Sequence, residues 1–272
     1  MIKFAASRFL TAFVVAAAVL SAAPVSAQYL NLTPTVVNDA QTLVSEPGDT
    51  FAVARPSVFK PFTDVLADFR RLPNRTNAEW LIAGVILAAG AHTADHDVTP
   101  RTSATRNGTF RAGPVIGGTP FELGAAFATY AIGRSTNSPR AMSFGSDLIR
   151  AQVMAEILTT GIKQGARRSR PEGSGFSFPS GHTTVTFASA TVIQRHFGWK
   201  FGAPAYAVAS YVAASRVEMR RHYLSDVAFG AALGIIAGRT VTIGREHTFA
   251  LTPISALNGS GVGAGLTWVG RH

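Results

Sequence analysis

The sequence predicts an all-α fold: a six-helix bundle over residues 78–243, with an N-terminal arm before it and a small C-terminal β-hairpin after it. Three observations carry this. Hydrophobic residues make up 47% of the 272 residues and charged ones only 15%, a balance that supports a packed core rather than disorder. Apolar residues recur at helical spacing through most of the chain, in segments bounded by Gly, Pro and Ser clusters. Strand-like alternation is confined to the tail, where Asn258-Gly259 offers a hairpin turn.

The elements follow in order. Residues 1–27 have the anatomy of a secretory signal peptide: Lys3 and Arg8, an apolar run from Phe9 to Ala23, then the small-residue cleavage site Val25-Ser26-Ala27. Residues 28–77 read as an arm with one short amphipathic helix near 57–71, because Phe59, Phe62, Leu66 and Phe69 fall on one face. The first bundle helix is Ala78–His92, and the polar, Gly-rich stretch 93–117 reads as a long loop. Pro120–Arg134 and Ala141–Ala166 give the second and third helices. A turn rich in Gly, Ser and Pro separates them from Thr183–Phe197, Gly202–Ser215 and Tyr223–Ile243. Residues 244–272 form the tail. The apolar runs Phe201–Ser215 and Val227–Gly238 are shorter than the stretch of about 18 residues expected of a membrane span, which favours an exported bundle outside the bilayer.

Charge and cysteine usage narrow the chemistry. A formal net charge of +10 points to anionic partners: a membrane surface, phosphate-bearing substrates or nucleic acid. Nucleic acid fits worst, since the basic residues are scattered and the cluster Lys163–Arg170 has no interleaved aromatic residues. The chain contains no cysteine, which rules out disulfides, thiolate catalysis and Cys-based zinc sites.

Three short segments carry candidate chemistry. In the first, Lys163 stands near a helix end and Arg170-Pro171 lies in the loop beyond; arginine offers phosphate a planar fork and lysine a point charge. The same residues would equally suit a helix dipole. Arg167 and Arg168 read as surface charges. In the second, Pro179-Ser180-Gly181-His182 precedes an apolar helix. A helix N-terminus presents free N–H groups, Gly181 admits close backbone approach, and His182 suits a general acid. In the third, Ser215-Arg216 is followed by His222 and Asp226, spaced four apart so that a helix would put them on one face. A carboxylate there would keep one imidazole nitrogen protonated and leave the other nucleophilic. Continuing by fours from Asp226 reaches Gly230, Gly234 and Gly238, a seam for a closely packed neighbour.

In order and internal spacing these segments resemble the tripartite signature of the type 2 phosphatidic acid phosphatase and vanadium haloperoxidase superfamily, over roughly residues 78–243. The resemblance implies a bundle of that type and a phosphoric monoester hydrolase of acid or phosphatidate phosphatase kind. Lys163, Arg170 and Arg216 would bind phosphate oxygens, and Ser180 with the Gly181 N–H would complete the cradle. His222 would form a phosphohistidine with Asp226 orienting its ring, and His182 would protonate the leaving alkoxide. The expected pH dependence is a bell favouring acid, with His222 neutral while His182 is protonated. No cofactor or metal is expected, because fixed cations fill the role Mg²⁺ often plays. The partner is a phosphate-ester substrate, including lipid at a membrane surface. Two alternatives stay open: a vanadate-dependent haloperoxidase and a non-catalytic phosphate-binding envelope protein. Only seven residues separate Pro171 from Pro179, which is short for a haloperoxidase of the superfamily. His92 and His96, with Asp95 and Asp97, form a further candidate metal pair that lacks a third ligand cluster.

Overall fold

The computed structural model describes residues 57–104, 108–243, 248–255 and 262–269. The expected signal peptide, residues 1–27, and residues 28–56 of the expected arm lie outside them. The short helix of the arm is α1 (Lys60–Arg71), and it is pinned through one buried carboxylate. Asp68 accepts from Arg150 Nε at 2.7 Å and Nη2 at 2.5 Å, while Arg150 Nη1 also reaches Asp147 at 2.9 Å. Asp147 in turn holds His196 Nε2 at 2.9 Å.

Six long helices follow where the apolar periodicity puts them: α2 (Arg75–His92), α5 (Thr119–Ser135), α6 (Pro139–Ala166), α7 (Gly181–Phe197), α8 (Trp199–Glu218) and α9 (Leu224–Val241). The stretch read as a long loop is partly helical instead. It forms α3 (Asp95–Ala104) and the single turn α4 (Gly113–Ile116), so the described residues hold more helices than six. Helix α3 has no apolar stripe to reveal it. Its first turn carries Asp95 and Asp97, which complement the helix dipole, and buried Asp95 bonds the start of α9. Residues Thr248–Ser255 and Val262–Val269 pair as antiparallel strands, with Thr248 opposite Val269. The Asn258-Gly259 turn falls outside the described residues.

Helix α9 runs through the centre, packed by α7, α2 and α6. One cluster joins Trp80, Phe187, Tyr206, Val217, Val227 and Ile235; a second joins Ile149, Met154, Val185, Val192 and Ala237. Each such apolar side chain contributes about 1.5–3 kcal/mol when fully buried. The glycine seam of α9 meets α7 at backbone distance. A Cβ on Gly230 would sit 2.9 Å from the Ser180 carbonyl, and one on Gly234 would sit 2.3 Å from the Thr184 carbonyl.

The sequence expectation that no stretch is long enough to span a bilayer needs correcting. By length and composition, Leu224–Val241 could cross one, because polar Ser225 and Asp226 are offset by apolar residues at both ends. That helix is 94% buried within the fold, as a core helix is. The apolar surface lies elsewhere. Helix α2 buries only a narrow seam around Trp80, Gly84 and Ala88, and exposes Leu81, Ile82, Val85, Ile86 and Leu87. Phe59, Phe62 and Leu66 of the α1 region are exposed as well.

One polar cluster lies between α5, α6 and α7. Glu122 accepts from Ser189 Oγ at 2.7 Å and Gln152 Nε2 at 3.2 Å, and burial pushes its carboxyl up to about 7. The folded state therefore holds a proton that the unfolded chain releases above pH 4.5. The stability this confers is present below pH 4.5 and lost as pH rises through 7. Glu122→Gln keeps the shape without the charge. Its Tm should match the parent near pH 4.5 and exceed it at pH 8 by roughly 5 °C, a gain of about 2 kcal/mol. Equal melting at pH 8, followed by circular dichroism, would contradict this.

Candidate active site

The three segments converge on one cavity of about 570 Å³. Lys163, Arg170, Gly181, His182, Arg216 and His222 all line it. Helix α6 ends at Ala166, and the loop beyond carries Arg170. Lys163 Nζ donates to the Phe176 carbonyl at 2.8 Å, which closes that loop over the helix end. Arg220 Nη2 donates to the Pro171 carbonyl at 3.1 Å, and Arg221 Nη1 to Glu172 Oε1 at 2.6 Å. These bonds draw the first and third segments together.

Ser180 is the N-cap of α7, but its hydroxyl makes no cap bond there. It is fully buried and accepts instead from Thr183 Oγ1 at 2.9 Å. A Cβ on Gly181 would meet only Thr159 Cγ2, at an ordinary 3.5 Å, so the protein leaves room on that side. His182 follows in the first helical turn and lines the cavity with Pro114, whose carbonyl favours the protonated ring. The short helix α4 thus lies beside this ring, a contact hidden in sequence by 67 intervening residues of unrelated pattern.

His222 is not on a helix face with Asp226, as the spacing of four suggested. It precedes α9, in a turn where its N–H and that of Arg221 both donate to the Arg216 carbonyl, at 3.2 Å and 3.0 Å. Asp226 is the third residue of α9 and caps it, accepting the Tyr223 N–H at 2.9 Å. That capping turn, rather than helical periodicity, faces the two side chains toward each other. His222 Nδ1 stands 3.6 Å from Asp226 Oδ2, an ion-pair distance longer than a hydrogen bond. The carboxylate is instead held by Ser177 Oγ, by the Tyr223 N–H, and by Arg168 Nη1 at 2.7 Å. Arg168 is accordingly no surface charge. Two buried carboxylates, Asp95 and Asp226, turn its side chain inward.

The electrostatics are those of an anion site. Burial, with Arg170 and Arg216 nearby, pushes Lys163 down to about 8. Burial, then Arg221 and Arg170, pushes Arg216 down to about 10. His222 falls to about 4 through burial, with Lys163 and Arg216 adding to the fall and Asp226 opposing it. His182 also falls to about 4, through burial first, then Arg216 and His222. Both rings are therefore neutral at pH 7 before any anion enters. This departs from the expectation of a protonated His182 in the free site, because burial and two cations, Lys163 of α6 and Arg216 of α8, act on both rings together. The buried Nε atoms of Arg170 and Arg216, and His222 Nδ1, have no hydrogen-bond partner. Buried donors are normally paired, so the two guanidinium Nε atoms are set for an acceptor from outside, whereas His222 Nδ1 faces Asp226.

Sequence reasoning missed several residues at the cavity: Arg221, Glu156, Thr119 and Pro114. Glu156 lies seven before Lys163 on one helix face, a signal that could have found it; Thr119 Oγ1 donates to its Oε1 at 2.5 Å. The His92, Asp95 and His96 side chains do not come together as a ligand set among the described residues. Asp95 is taken up by Ser225 and Arg168, and among the described residues no group of three or more ligating side chains is assembled for a metal.

Comparison with known proteins agrees with this layout. The PAP2 superfamily model matches residues 146–248. Lipid A 1-phosphatase of Porphyromonas gingivalis is 38% identical over 97 residues, covering 34% of this chain and 22% of that protein. Decaprenylphosphoryl-5-phosphoribose phosphatase of Mycobacterium tuberculosis is 37% identical over 98 residues, covering 32% of this chain and 54% of that one. The chain thus spans from under a quarter to about half the length of these curated relatives. Among solved structures, the transmembrane PAP2 type phosphatidylglycerolphosphate phosphatase of Bacillus subtilis superposes with a TM-score of 0.53 at 20% identity. The match covers 61% of this chain and 93% of that one, a likeness of fold. Residues 146–248 of this chain thus match the PAP2 superfamily, and its helical domain shares the fold of a PAP2 type phosphatase.

Proposed function

We propose that the protein is a phosphoric monoester hydrolase acting on lipid phosphate at a membrane surface, through a phosphohistidine on His222. The observation that carries this is the cavity lined by Lys163, Arg170 and Arg216, whose buried guanidinium Nε atoms lack an acceptor beside a neutral, buried imidazole. Phosphate oxygens would take those donors. His222 Nε2, the nitrogen turned away from Asp226, attacks phosphorus as the ester P–O bond breaks, and His182, neutral in the free site, takes the proton carried in by the monoester monoanion and passes it to the departing alkoxide. Water then attacks the phosphohistidine, His182 takes the water's proton, and inorganic phosphate leaves with His222 restored. The cations stabilise the charge on the transferring group. Ser180 and the Gly181 N–H are assigned to the cradle.

In this reading residues 1–27 direct export, 28–77 form the arm, 78–243 the catalytic domain and 244–272 the tail. The exposed apolar residues of α1 and α2 support contact with lipid, since a helix apolar on nearly every face suits a nonaqueous neighbour. The named activities of the relatives on lipid-linked phosphates support the substrate class.

The test is a substrate panel on the purified protein: lipid phosphates in detergent, nucleotides and p-nitrophenyl phosphate. Release of phosphate is expected, fastest from the lipids. Halide oxidation with peroxide and vanadate, without phosphate release, would replace this reading with the haloperoxidase one. Absence of any turnover would leave a binding protein.

The pH profile is a sharper check. kcat/KM should fall below about pH 4 as His222 takes a proton and loses its nucleophilic pair. Above roughly pH 6 it should fall again, because the proton for the leaving group must then arrive on a substrate that has lost it. Lys163 depresses both rings, so Lys163→Met should move the acid limb upward. A limb that moves downward would contradict the electrostatic assignment.

A further inference from the structure

We propose that Arg168 is a positioning residue for the reaction, holding the Asp226 carboxylate in the one rotation that presents Oδ2 to His222. The inference rests on His222 being the nucleophile. Arg168 belongs to no cavity wall, yet it is the most heavily bonded cation near the site. Nη1 donates to Asp226 Oδ1 and to Ser225 Oγ, each at 2.7 Å. Nη2 donates to Asp95 Oδ2 at 2.7 Å. The guanidinium carbon lies 4.1 Å from the centre of the Tyr223 ring, a cation–π distance. The Arg168 carbonyl accepts the Ser177 N–H at 2.7 Å, and the Ser177 hydroxyl donates to Asp226 Oδ2.

The two oxygens of Asp226 are thereby sorted. Oδ1 is consumed by Arg168. Oδ2 takes Ser177 and the Tyr223 N–H, and it is the oxygen nearest His222 Nδ1. A carboxylate free to turn would exchange these roles. Arg168 is itself fixed by Asp95 of α3, which also accepts the Ser225 N–H at 2.9 Å and Ser225 Oγ at 2.6 Å. The polar helix that sequence reading took for a loop thus reaches the nucleophile through an ordered chain: Asp95, Arg168, Asp226, His222. One guanidinium shared between two carboxylates also leaves Asp226 only partly neutralised, which preserves its pull on the imidazole. A lysine would supply the charge but not the planar fork that serves three acceptors at fixed angles.

The charges facing His222 are Asp226 from α9, Lys163 from α6, Arg216 from α8 and the His182 ring from α7. Arg168 bonds only Asp226 among them. Losing it should therefore let Asp226 act on His222 unopposed and raise the ring's pKa, while the phosphate-binding cations stay in place.

The variants are Arg168→Gln and Arg168→Lys, with Asp95→Asn as the milder third, each first checked by near-ultraviolet circular dichroism for a native signal. Arg168→Gln should lower kcat about 10²-fold, the scale set by misplacing a reacting group by an ångström, with KM within about threefold of the parent. Arg168→Lys should recover part of kcat, and Asp95→Asn should lower it less than Arg168→Gln. Histidine ring NMR on the parent and on Arg168→Gln should show the His222 titration moved upward, a readout that needs no turnover. An unchanged kcat and titration in a folded Arg168→Gln would overturn the proposal. So would a rise in KM at constant kcat, which would make Arg168 a substrate-binding cation. Loss of the parent's turnover on every phosphoester would instead sink the proposed function, with the NMR shift still testing the coupling of Arg168 to His222.

Discussion

His222→Ala should abolish phosphate release, lowering kcat by at least about 10⁴-fold, the loss seen when a member of a nucleophilic constellation is removed. The reason is local. The ring is nearly completely buried, and burial together with Lys163 and Arg216 keeps it unprotonated down to about pH 4, so a lone pair is available throughout the working range. No other nucleophilic nitrogen lines the cavity in an equivalent setting. His182 lies beside the Pro114 carbonyl at the start of α7, where it suits proton transfer. Lys163, Arg170 and Arg216 remain in the variant, so inorganic phosphate should still raise its Tm. Rapid quenching of the parent with a phosphorus-labelled substrate should trap an acid-labile phosphoenzyme that His222→Ala does not form. His182→Ala should accumulate that species when the leaving group is p-nitrophenolate, which needs no proton to depart. Label on any other side chain, or full activity in His222→Ala, would remove the phosphohistidine mechanism.

Gly234→Ala is expected to be the most damaging single methyl in the bundle. The added Cβ would stand 2.3 Å from the Thr184 carbonyl and 2.8 Å from Phe187 Cβ, against backbone that cannot swing aside. Helices α7 and α9 must separate, and both carry the site: Ser180 N–H donates to the Asp226 carbonyl at 3.1 Å across that seam. A loss of about 3 kcal/mol is expected, a Tm fall of roughly 6–12 °C, with activity reduced in whatever remains folded. Gly161→Ala is the control. Its Cβ would meet nothing within 4 Å on the exposed side of α6, so it should be neutral or stabilising by up to about 1 kcal/mol. Similar melting of the two variants would show that the close approach of α7 and α9 is not what the glycine seam is for.

Much of the fold was legible because its cues are local. The helical spacing of apolar residues marked α1, α2 and α5 to α9 to within a few residues. The glycines at 230, 234 and 238 announced a close neighbour before that neighbour was known to be α7. The candidate residues that line the cavity were legible for a related reason: Lys163 with Arg170, Gly181 with His182, and Arg216 with His222 each lie within a dozen residues, where spacing alone limits what can meet.

What the sequence alone determined, then, was which candidate groups could act together and the helices that carry them. Tertiary structure decided which of their neighbours matter and what state the groups are in. Arg168 reads as one more surface cation in a basic run until Asp95 and Asp226, brought from 73 positions before it and 58 after, draw it inward. Helix α3 is invisible to periodicity because its buried carboxylate, not an apolar stripe, holds it in place. Pro114 has no chemistry of its own and matters only because the folded chain aims its carbonyl at His182. The depressed imidazoles follow from burial beside cations supplied by α6 and α8. Proton affinity depends on the whole surrounding field and on exclusion from water, and neither exists until the helices have packed.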